Sequence, residues 1–579
     1  MTRLVFIGAA GLDWAGFNAA VRLGEVPALT ALARCARPCW LSGGPPGARL
    51  AVWTMLATGV QPEVHGIWRN VEAWAGGTRP IGRASWRVAP LWARLQAAGI
   101  STGSVAWPAS RPGADWAGVH IDETFAAASG RVGEDWALPL HCAPAEARAA
   151  LRERRVHPTD ITAAMLKPFV PTMADIDQSR DVHLPTLAVT MARAATVQAG
   201  AAWLLSEARP QAVFVHHRWL GDVRIAFERF REGPFAGVVA AAWRFLDGLI
   251  ARLVELAGPE TTLILASPGW RDRPGLFMAT GGEHQGEGAH VLDVAPTVLG
   301  LYGLGDASFP GRCLLPVDGA LVQAPDASIA PAEIDTDLLA QAEAAGYAPP
   351  SGPLPGWRAQ GLAELAWMLL ERDAEAAGRV ADAALALDPE NVMGLRAKVR
   401  AHVLLDQPGP LIDLGAALTR LAPNRGWGAL AFGAYHVLRG EKGLCGPWLR
   451  RAEADAETMT LLTVATLWTA ARRPSEAERV FRRLLEQNPD DATAELGLAM
   501  ALKARRDFIG AEAALGRAAD LDPGRAAVWL QFADLHARTT RRIEADRAAD
   551  TAARLGASPE HVAAARAGKL GDQPSRRAV

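Results

Sequence analysis

Four prolines in the second half of the chain recur at a fixed phase, and this phase restricts the fold more than any other sequence feature. Pro389, Pro423, Pro489 and Pro523 are spaced 34, 66 and 34 residues apart, so that the middle interval is close to two periods. Each follows an amphipathic helical stretch, with alanines where two helices must approach closely. A helix–turn–helix unit of this length cannot bury its apolar face alone. The phase therefore predicts a stacked all-α solenoid.

The chain divides into four segments with different sequence patterns. A 34-residue unit ending in proline is typical of tetratricopeptide repeats, and about six units fit into residues 357–557. Before them, residues 1–316 alternate short β-rich runs with amphipathic helical stretches, which predicts an α/β fold with a central sheet flanked by helices. Residues 317–356 are rich in proline and aperiodic, which predicts a linker. Residues 558–579 are predicted to be a flexible tail.

Composition excludes several classes of function. The 579 residues carry 60 basic and 62 acidic side chains, which predicts no polybasic face for nucleic acid. No stretch reaches the roughly 18 uncharged apolar residues of a membrane span. The amino terminus lacks the pattern of a signal peptide and instead predicts a first β-strand. The five scattered cysteines suit a reducing compartment. The predicted location is the cytoplasm.

Several phrases in residues 1–316 occur in the order of one enzyme family. VFIGAAGLDW resembles the opening phrase V-I-G-L-D-G-A-D-W. AVWTMLATGVQPEVHGI resembles A-W-T-S-x-x-T-G-x-x-P-x-x-H-G-I, and VLDVAPTVLGLYGL resembles the closing D-I-A-P-T-L-L phrase. The region thus resembles the type I phosphodiesterase/nucleotide pyrophosphatase branch of the alkaline phosphatase superfamily. The resemblance implies an alkaline-phosphatase-like sheet and an enzyme that cleaves phosphoric esters with two divalent ions, usually zinc, and a Thr or Ser nucleophile.

The positions that carry this chemistry in the family are mostly changed here. The resemblance places the nucleophile at Arg49. It places the six metal ligands at Ala10, Asp222, Ala226, Pro268, Gly269 and Arg271. Alanine, proline and glycine side chains offer no donor atom to a metal, and a guanidinium repels one. Of the six, only Asp222 keeps a ligand. The sequence therefore predicts no catalytic residue, no metal and no cofactor at this site.

Three hypotheses remain open at this stage. The first is a pseudoenzyme domain joined to repeats that bind a protein partner in their groove. The second is an active phosphodiesterase or phosphatase that uses relocated groups. The third is a scaffold in which only the solenoid functions. The candidates for relocated groups are Asp13, His65, His216, His217, Glu283, His284, Glu287 and His290. Of these, Asp13 is predicted to cap a helix and His65 to stabilise a turn.

Arg49 and Arg271 suggest a further role for the changed site. Losing two dications removes about four positive charges from a cleft shaped for phosphate, and two guanidiniums restore part of that charge with donors that suit phosphate oxygens. This predicts a metal-free site for a phosphorylated or sulfated small molecule. The competing hypothesis is that Arg49 pairs with Asp222 and neutralises a carboxylate left without its metal.

Overall fold

The structure is a computed structural model of the chain. It describes residues 3–43, 49–67, 71–74, 77–81, 85–110, 118–126, 142–177, 180–270, 273–282, 288–317, 320–325, 354–370 and 373–570. The chain forms two compact units, Met1–Pro349 and Pro350–Val579, and the boundary between them falls inside the predicted linker.

A nine-stranded mixed sheet organises the first unit. Its strands are β1 (Leu4–Ala9), β2 (Cys39–Ser42), β5 (Thr102–Val105), β6 (Val119–Ile121), β7 (Cys142–Ala143), β8 (Ala212–His217), β9 (Thr262–Ser267), β10 (Gly275–Ala279) and β11 (Gly288–His290). Their order in the sheet is β11-β2-β10-β9-β1-β8-β5-β6-β7. Two small ribbons pair β3 (Val71–Trp74) with β4 (Gly77–Pro80) and β12 (Leu304–Gly305) with β13 (Val322–Gln323).

The centre of the sheet is parallel. β1 pairs in parallel with β8 on one side and with β9 on the other. All six residues of β1 are buried, as expected for a strand covered on both faces. The carboxyl ends of β9, β1 and β8 therefore lie side by side, and in sheets of this kind ligands bind beyond those ends. This edge contains most of the predicted site positions.

Helices cover both faces of the sheet. They are α1 (Trp14–Arg22), α2 (Pro27–Ala36), α3 (Arg49–Thr58), α4 (Pro62–His65), α5 (Leu91–Ala97), α6 (Ala147–Arg152), α7 (Ala163–Leu166), α8 (His183–Trp203), α9 (Trp219–Phe227), α10 (Val238–Ala257) and α11 (Val294–Gly300). One core lies under α1, α2, α8, α9 and α10. The other lies under α3, α5 and α11. The predicted α/β class is confirmed.

The second unit is helical throughout its described residues. Six consecutive helix pairs are α12 (Leu354–Leu369) with α13 (Ala374–Leu387), α14 (Val392–Leu404) with α15 (Leu411–Leu421), α16 (Trp427–Leu438) with α17 (Cys445–Ala452), α18 (Thr458–Ala470) with α19 (Pro474–Gln487), α20 (Ala492–Ala504) with α21 (Phe508–Leu521), and α22 (Ala526–Arg538) with α23 (Arg542–Arg554). The predicted all-α repeat unit is confirmed.

The pairs repeat in backbone geometry as well as in length. The turn inside each of the last five pairs contains one residue in the left-handed conformation, with φ between 59° and 75°: Asp406, Gly440, Arg472, Arg506 and Thr540. Such a residue ends a helix, because it lets the amides that follow the helix donate to the last unpaired carbonyls of the helix. First helices of consecutive pairs contact one another along the stack. The first helices therefore approach one another more closely than the second helices do, which places the first helices on the concave side of the stack.

The end of the chain differs from the sequence expectation. Residues 558–579 were predicted to be a flexible tail, but the structure places helix α24 (Pro559–Arg566) at their beginning. Val562 and Ala565 of α24 are buried against α22 and α23. The last pair would otherwise expose its apolar face, so α24 closes the stack. None of the described helices combines the length and the apolar character needed to cross a membrane.

Candidate functional site

The turn after β1 packs closely against the start of α9. The Ala10 amide donates to the His217 carbonyl at 2.8 Å, and the Gly221 amide donates to the Ala10 carbonyl at 2.9 Å. Gly11 has φ of +86°, and a Cβ built there would lie 2.5 Å from the Gly221 Cα and N atoms. The carboxyl ends of β1 and β8 are therefore joined backbone to backbone, with no acidic side chain between them.

Asp222 keeps a partner other than the predicted one. It lies in the first turn of α9, and its Oδ1 accepts a hydrogen bond from Nη2 of Arg218 at 3.1 Å. Arg218 is the first residue after β8, and sequence reasoning overlooked it although the spacing of four residues on one helix was a usable signal. Arg49 begins α3, but its side chain lies outside the described residues, as does Arg271. The predicted pairing of Arg49 with Asp222 stays a prediction.

The residues present at this edge do not fit the family's two metal ions. Ala10, Ala226, Pro268 and Gly269 have no side-chain donor. Throughout the described ranges, no three His, Cys, Asp or Glu side chains are grouped so that they could hold a metal. Oxygen and nitrogen donors are what zinc requires. Glu283, His284 and Glu287 lie outside the described residues.

His216 lies inside an aromatic cluster on the α3 side of the sheet. Its Nδ1 lies 3.2 Å from the Ala106 carbonyl oxygen, which assigns the ring proton to that nitrogen. The Trp53 ring of α3 meets the His216 ring edge-on at 4.4 Å between centroids. A Cβ built on Gly8 would lie 2.7 Å from Cζ3 of Trp53. Burial lowers the pKa of His216 well below its usual range, so the imidazole is neutral.

His217 points to the opposite face, as the alternation of a strand requires. It is 1% exposed, and neither ring nitrogen has a hydrogen-bond partner among the described residues. Burial lowers its pKa to about 4. The two histidines thus do not converge on one site.

Two further candidates have structural roles. Nδ1 of His65 accepts from the Ile67 amide at 3.1 Å, inside the turn that follows α4. Burial lowers the pKa of His65 to about 3. Nδ1 of His290 accepts from the Leu292 amide at 3.2 Å. The lone pairs that a metal would use are therefore engaged with the backbone.

A buried ionic network, which we call the Arg224 network, lies beneath this edge. Oδ1 of Asp13 accepts from the Gly16 amide at 2.8 Å, which confirms its predicted capping role. Oδ2 of Asp13 pairs with Nη1 of Arg224, and the same nitrogen donates to the Gly11 carbonyl at 2.8 Å. Nη2 of Arg224 donates to Glu228 at 2.7 Å.

The Arg224 network extends to the turn after β9. Nε1 of Trp270 donates to Oε2 of Glu228 at 2.9 Å, and the Trp270 ring lies 4.8 Å from the Arg224 guanidinium carbon. Arg273 adds a second guanidinium, 3.7 Å from Oδ1 of Asp13. Two carboxylates and two guanidiniums thus tie together the ends of β1, β9 and α9. Of these, sequence reasoning singled out only Asp13; the four-residue spacing of Arg224 and Glu228 was the one available signal.

The comparisons with known proteins agree with this architecture. Residues 4–268 match the model of the type I phosphodiesterase / nucleotide pyrophosphatase family. The first unit is a type I phosphodiesterase/nucleotide pyrophosphatase family domain. Residues 469–529 match a tetratricopeptide repeat model, so the phosphodiesterase-family domain is joined to tetratricopeptide repeats, as predicted. No curated protein matches the chain.

Several solved structures show a weak likeness to the chain. Human IFIT1, in a dimer with PPP-AAAA, is 15% identical over 34% of this chain and 50% of its own, with a TM-score of 0.30. The APC/C hetero-tetramer Cut9-Hcn1 is 15% identical over 37% of this chain and 43% of its own, at 0.31. A tetratricopeptide repeat protein from Parabacteroides merdae is 15% identical over 41% of this chain and 92% of its own, at 0.30. These scores are too low to support an inference about function.

The tetratricopeptide unit has its own candidate surface on the first helices. The Arg396 guanidinium of α14 lies between two indoles, 5.2 Å from the Trp367 centroid on α12 and 4.0 Å from the Trp427 centroid on α16. Glu457 pairs with Arg396 and accepts from Nε1 of Trp427 at 2.8 Å. A small pocket opens here, lined in part by Met459 of α18. We call these residues the Trp–Arg cluster.

Proposed function

We propose that this protein is a non-hydrolysing member of the phosphodiesterase family whose tetratricopeptide repeats bind a partner protein. The observation that carries the first half is the set of residues at the strand ends. Ala10, Pro268 and Gly269 have no side-chain donor atoms, and the buried carboxylate of Asp13, three residues after Ala10, is engaged with Arg224. Without two adjacent dications, the family's means of stabilising the attacking and leaving oxygens of a phosphoryl group is missing.

The Arg224 network supports this proposal in a second way. A carboxylate can serve as metal ligand or general base only if its lone pairs are accessible. Asp13 is 0% exposed, and its two oxygens accept from Gly16 and pair with Arg224. Recruiting Asp13 for catalysis would break a buried ion pair, which costs several kcal/mol. The alternative function, hydrolysis by relocated groups, has no assembled group of donors within the described residues.

Metal-free anion binding is the second candidate function of this domain. The observation that favours it is the pairing of Asp222 with Arg218. Since Asp222 already has a cationic partner, it does not require Arg49 for charge neutralisation. Arg49 and Arg271 are then left to provide guanidiniums for a phosphorylated or sulfated small molecule.

The Trp–Arg cluster supports the partner-binding half. It lies on the first helices, the concave side, and presents two partly exposed indoles beside charged side chains. Tryptophan and arginine dominate the energetics of protein interfaces because they bury large areas and donate hydrogen bonds. We propose that an extended segment or a helix of a partner protein binds here. Cytoplasmic location remains part of the proposal.

Metal content and hydrolysis test the first half. We expect the purified chain to retain no zinc or manganese. We also expect it to show no chelator-sensitive turnover of an aryl phosphodiester. About two ions per chain with chelator-sensitive turnover would contradict the proposal. For the second half, peptides selected from a displayed library on the wild type should lose binding to an Arg396→Gln, Trp427→Ala variant. The Arg482→Ala variant, changed at an exposed position of α19, is the matched control.

A further inference from the structure

The two edges of the tetratricopeptide stack carry opposite charge. We define the basic edge as the turns inside the last four pairs, 439–444, 471–473, 505–507 and 539–541, which contain seven basic and two acidic residues. We define the acidic edge as the turns between pairs, 388–391, 422–426, 453–457, 488–491 and 522–525, which contain eight acidic and two basic residues. The two edges lie at opposite ends of the helices.

The separation of the edges allows each to act on its own surroundings. The first helices α14, α18, α20 and α22 have 13 residues each, so the edges lie about 20 Å apart at 1.5 Å per residue. The Debye length at physiological ionic strength is only about 8 Å. A surface that touches the basic edge therefore experiences little of the acidic edge.

Large exposed apolar side chains lie in the basic edge or two residues beyond its turns. Ile509 is 86% exposed, Ile543 is 68% exposed and Leu444 is 58% exposed. Ile509 and Ile543 are the second residues of α21 and α23 and lie 34 residues apart, which is one repeat period. Neighbouring helices pack about 8–10 Å apart, so these side chains stand singly and do not share a groove. The exposed isoleucine therefore belongs to the repeat pattern, since it occurs at the same position of two consecutive repeats.

Arginines without partners surround these apolar tips. Within the described part of the chain, the guanidiniums of Arg472, Arg473, Arg506 and Arg542 make no hydrogen bond or ion pair. Arg541 differs, since it binds both carboxylate oxygens of Glu512 at 2.8 Å. Arg542 directly precedes Ile543, and Arg506 stands three residues before Ile509. Cationic and apolar groups thus alternate along one edge.

We propose that the basic edge docks on an anionic phospholipid surface. Ile509 and Ile543 enter the boundary between headgroups and acyl chains, while the four unpaired arginines contact lipid phosphates. A fluid bilayer accommodates separated apolar tips without a matching pocket for each one, whereas an acidic polypeptide would satisfy the arginines and leave the isoleucines in water. The acidic edge, turned away from the membrane, fixes the orientation of the stack.

Vesicle binding by the full-length chain tests this proposal. The probes are vesicles of phosphatidylcholine alone and of phosphatidylcholine with phosphatidylserine, at low and high salt. One variant carries Ile509→Ser and Ile543→Ser, and a second carries Arg473→Glu and Arg542→Glu. Both arginines lie at helix amino termini, where glutamate is favoured by the helix dipole, so the second variant keeps the fold. Leu387→Ser, at a 42% exposed position beside the acidic edge, is the matched control.

We expect the wild type to bind only the anionic vesicles, more weakly at high salt. Each charge near an anionic surface contributes about fivefold, so losing the two positive charges should by itself weaken partitioning by about 25-fold, and the two negative charges in their place should weaken it further. The isoleucine variant should also lose binding, and the Leu387 control should not. No binding by the wild type overturns the proposal. Vesicle binding that survives the isoleucine changes also overturns it, because the basic edge would then recognise negative charge alone, as an acidic polypeptide would offer. A wild-type dimer that the isoleucine changes dissociate overturns it as well and would indicate a second copy on this edge.

Discussion

Arg224 and Asp13 form an ion pair inside the phosphodiesterase-family domain, with side chains 4% and 0% exposed. The family resemblance places a metal ligand three residues before Asp13, at Ala10, where this chain has none. The positive charge at the end of β1 is here supplied by an arginine from α9. The pair is part of the Arg224 network, which holds together three elements at the edge where the family binds metal.

Arg224→Met should strongly destabilise the phosphodiesterase-family domain. Methionine keeps the apolar volume but leaves the carboxylate of Asp13 buried without its closest cation, which costs roughly 3–5 kcal/mol in the free energy of unfolding. Chemical denaturation of the full chain measures this loss. Arg252→Met is the matched control, because Arg252 and Glu255 form an exposed pair and should lose about 0–1 kcal/mol. Equal losses in the two variants would refute the role of the network.

His217→Phe should reduce the sensitivity of the protein to acid. Burial lowers the pKa of His217 to about 4, so that between pH 6.5 and pH 4 the unfolded chain takes up a proton that the folded chain does not. This contribution to stability is present above pH 6.5 and is lost as the pH falls toward 4. Between pH 6.5 and 5 the free energy of unfolding of the wild type should fall by about 2 kcal/mol more than that of the variant.

The measurement is the free energy of unfolding as a function of pH. The other buried histidines, His65, His120 and His216, are present in both proteins and cancel in the difference. Phenylalanine changes packing and therefore shifts stability at all pH values by a constant amount, so only the difference in slope is informative. Parallel curves for wild type and variant would show that His217 does not titrate as described.

Two glycines in adjacent helices of the repeats should respond oppositely to alanine. A Cβ built on Gly497 of α20 would lie 2.2 Å from Cζ of the buried Phe481, whereas Gly516 of α21 has nothing within 4 Å. Gly497→Ala should cost about 1–3 kcal/mol through overpacking. Gly516→Ala should stabilise by about 0.5–1 kcal/mol through helix propensity. Thermal unfolding followed by circular dichroism gives both values, and a same-sign response would contradict the packing between α19 and α20.

Anion binding should depend on Arg49 and Arg271. Titration calorimetry of phosphate, sulfate and nucleotides should show saturable binding by the wild type and at least a tenfold loss in the Arg49→Ala, Arg271→Ala variant, since a charge-assisted hydrogen bond contributes about 1.5–3 kcal/mol. Arg244→Ala with Arg252→Ala removes the same charge from exposed pairs on α10 and is the control. If the wild type binds no anion, the anion-site proposal is wrong, and the pairing of Arg49 with Asp222 is the hypothesis that stays open.

Much of the architecture could be predicted from the sequence because it depends on local periodicity. The 34-residue proline phase indicated the repeats, since each helix pair must bury its apolar face against the next one. Short β-rich runs alternating with helical stretches indicated the covered sheet. The loss of donors at Ala10, Pro268 and Gly269 also required no coordinates, because these residue types have no ligand atoms wherever they lie. The capping role of Asp13 was likewise visible from its place before Trp14.

Only the tertiary structure decided which partners the remaining polar groups have. Asp13 and Arg224 are 211 residues apart, and Trp270 and Glu228 are 42 apart, so no local pattern connects them. The pairing of Asp222 with Arg218 was local, yet a long-range partner competed with it in the sequence analysis. The formation of helix α24 could not be predicted from the sequence either, because its burial depends on the apolar face that the last repeat exposes. Residue type and spacing determine which elements form and which chemistry is missing, whereas the packing of distant elements determines which charges meet.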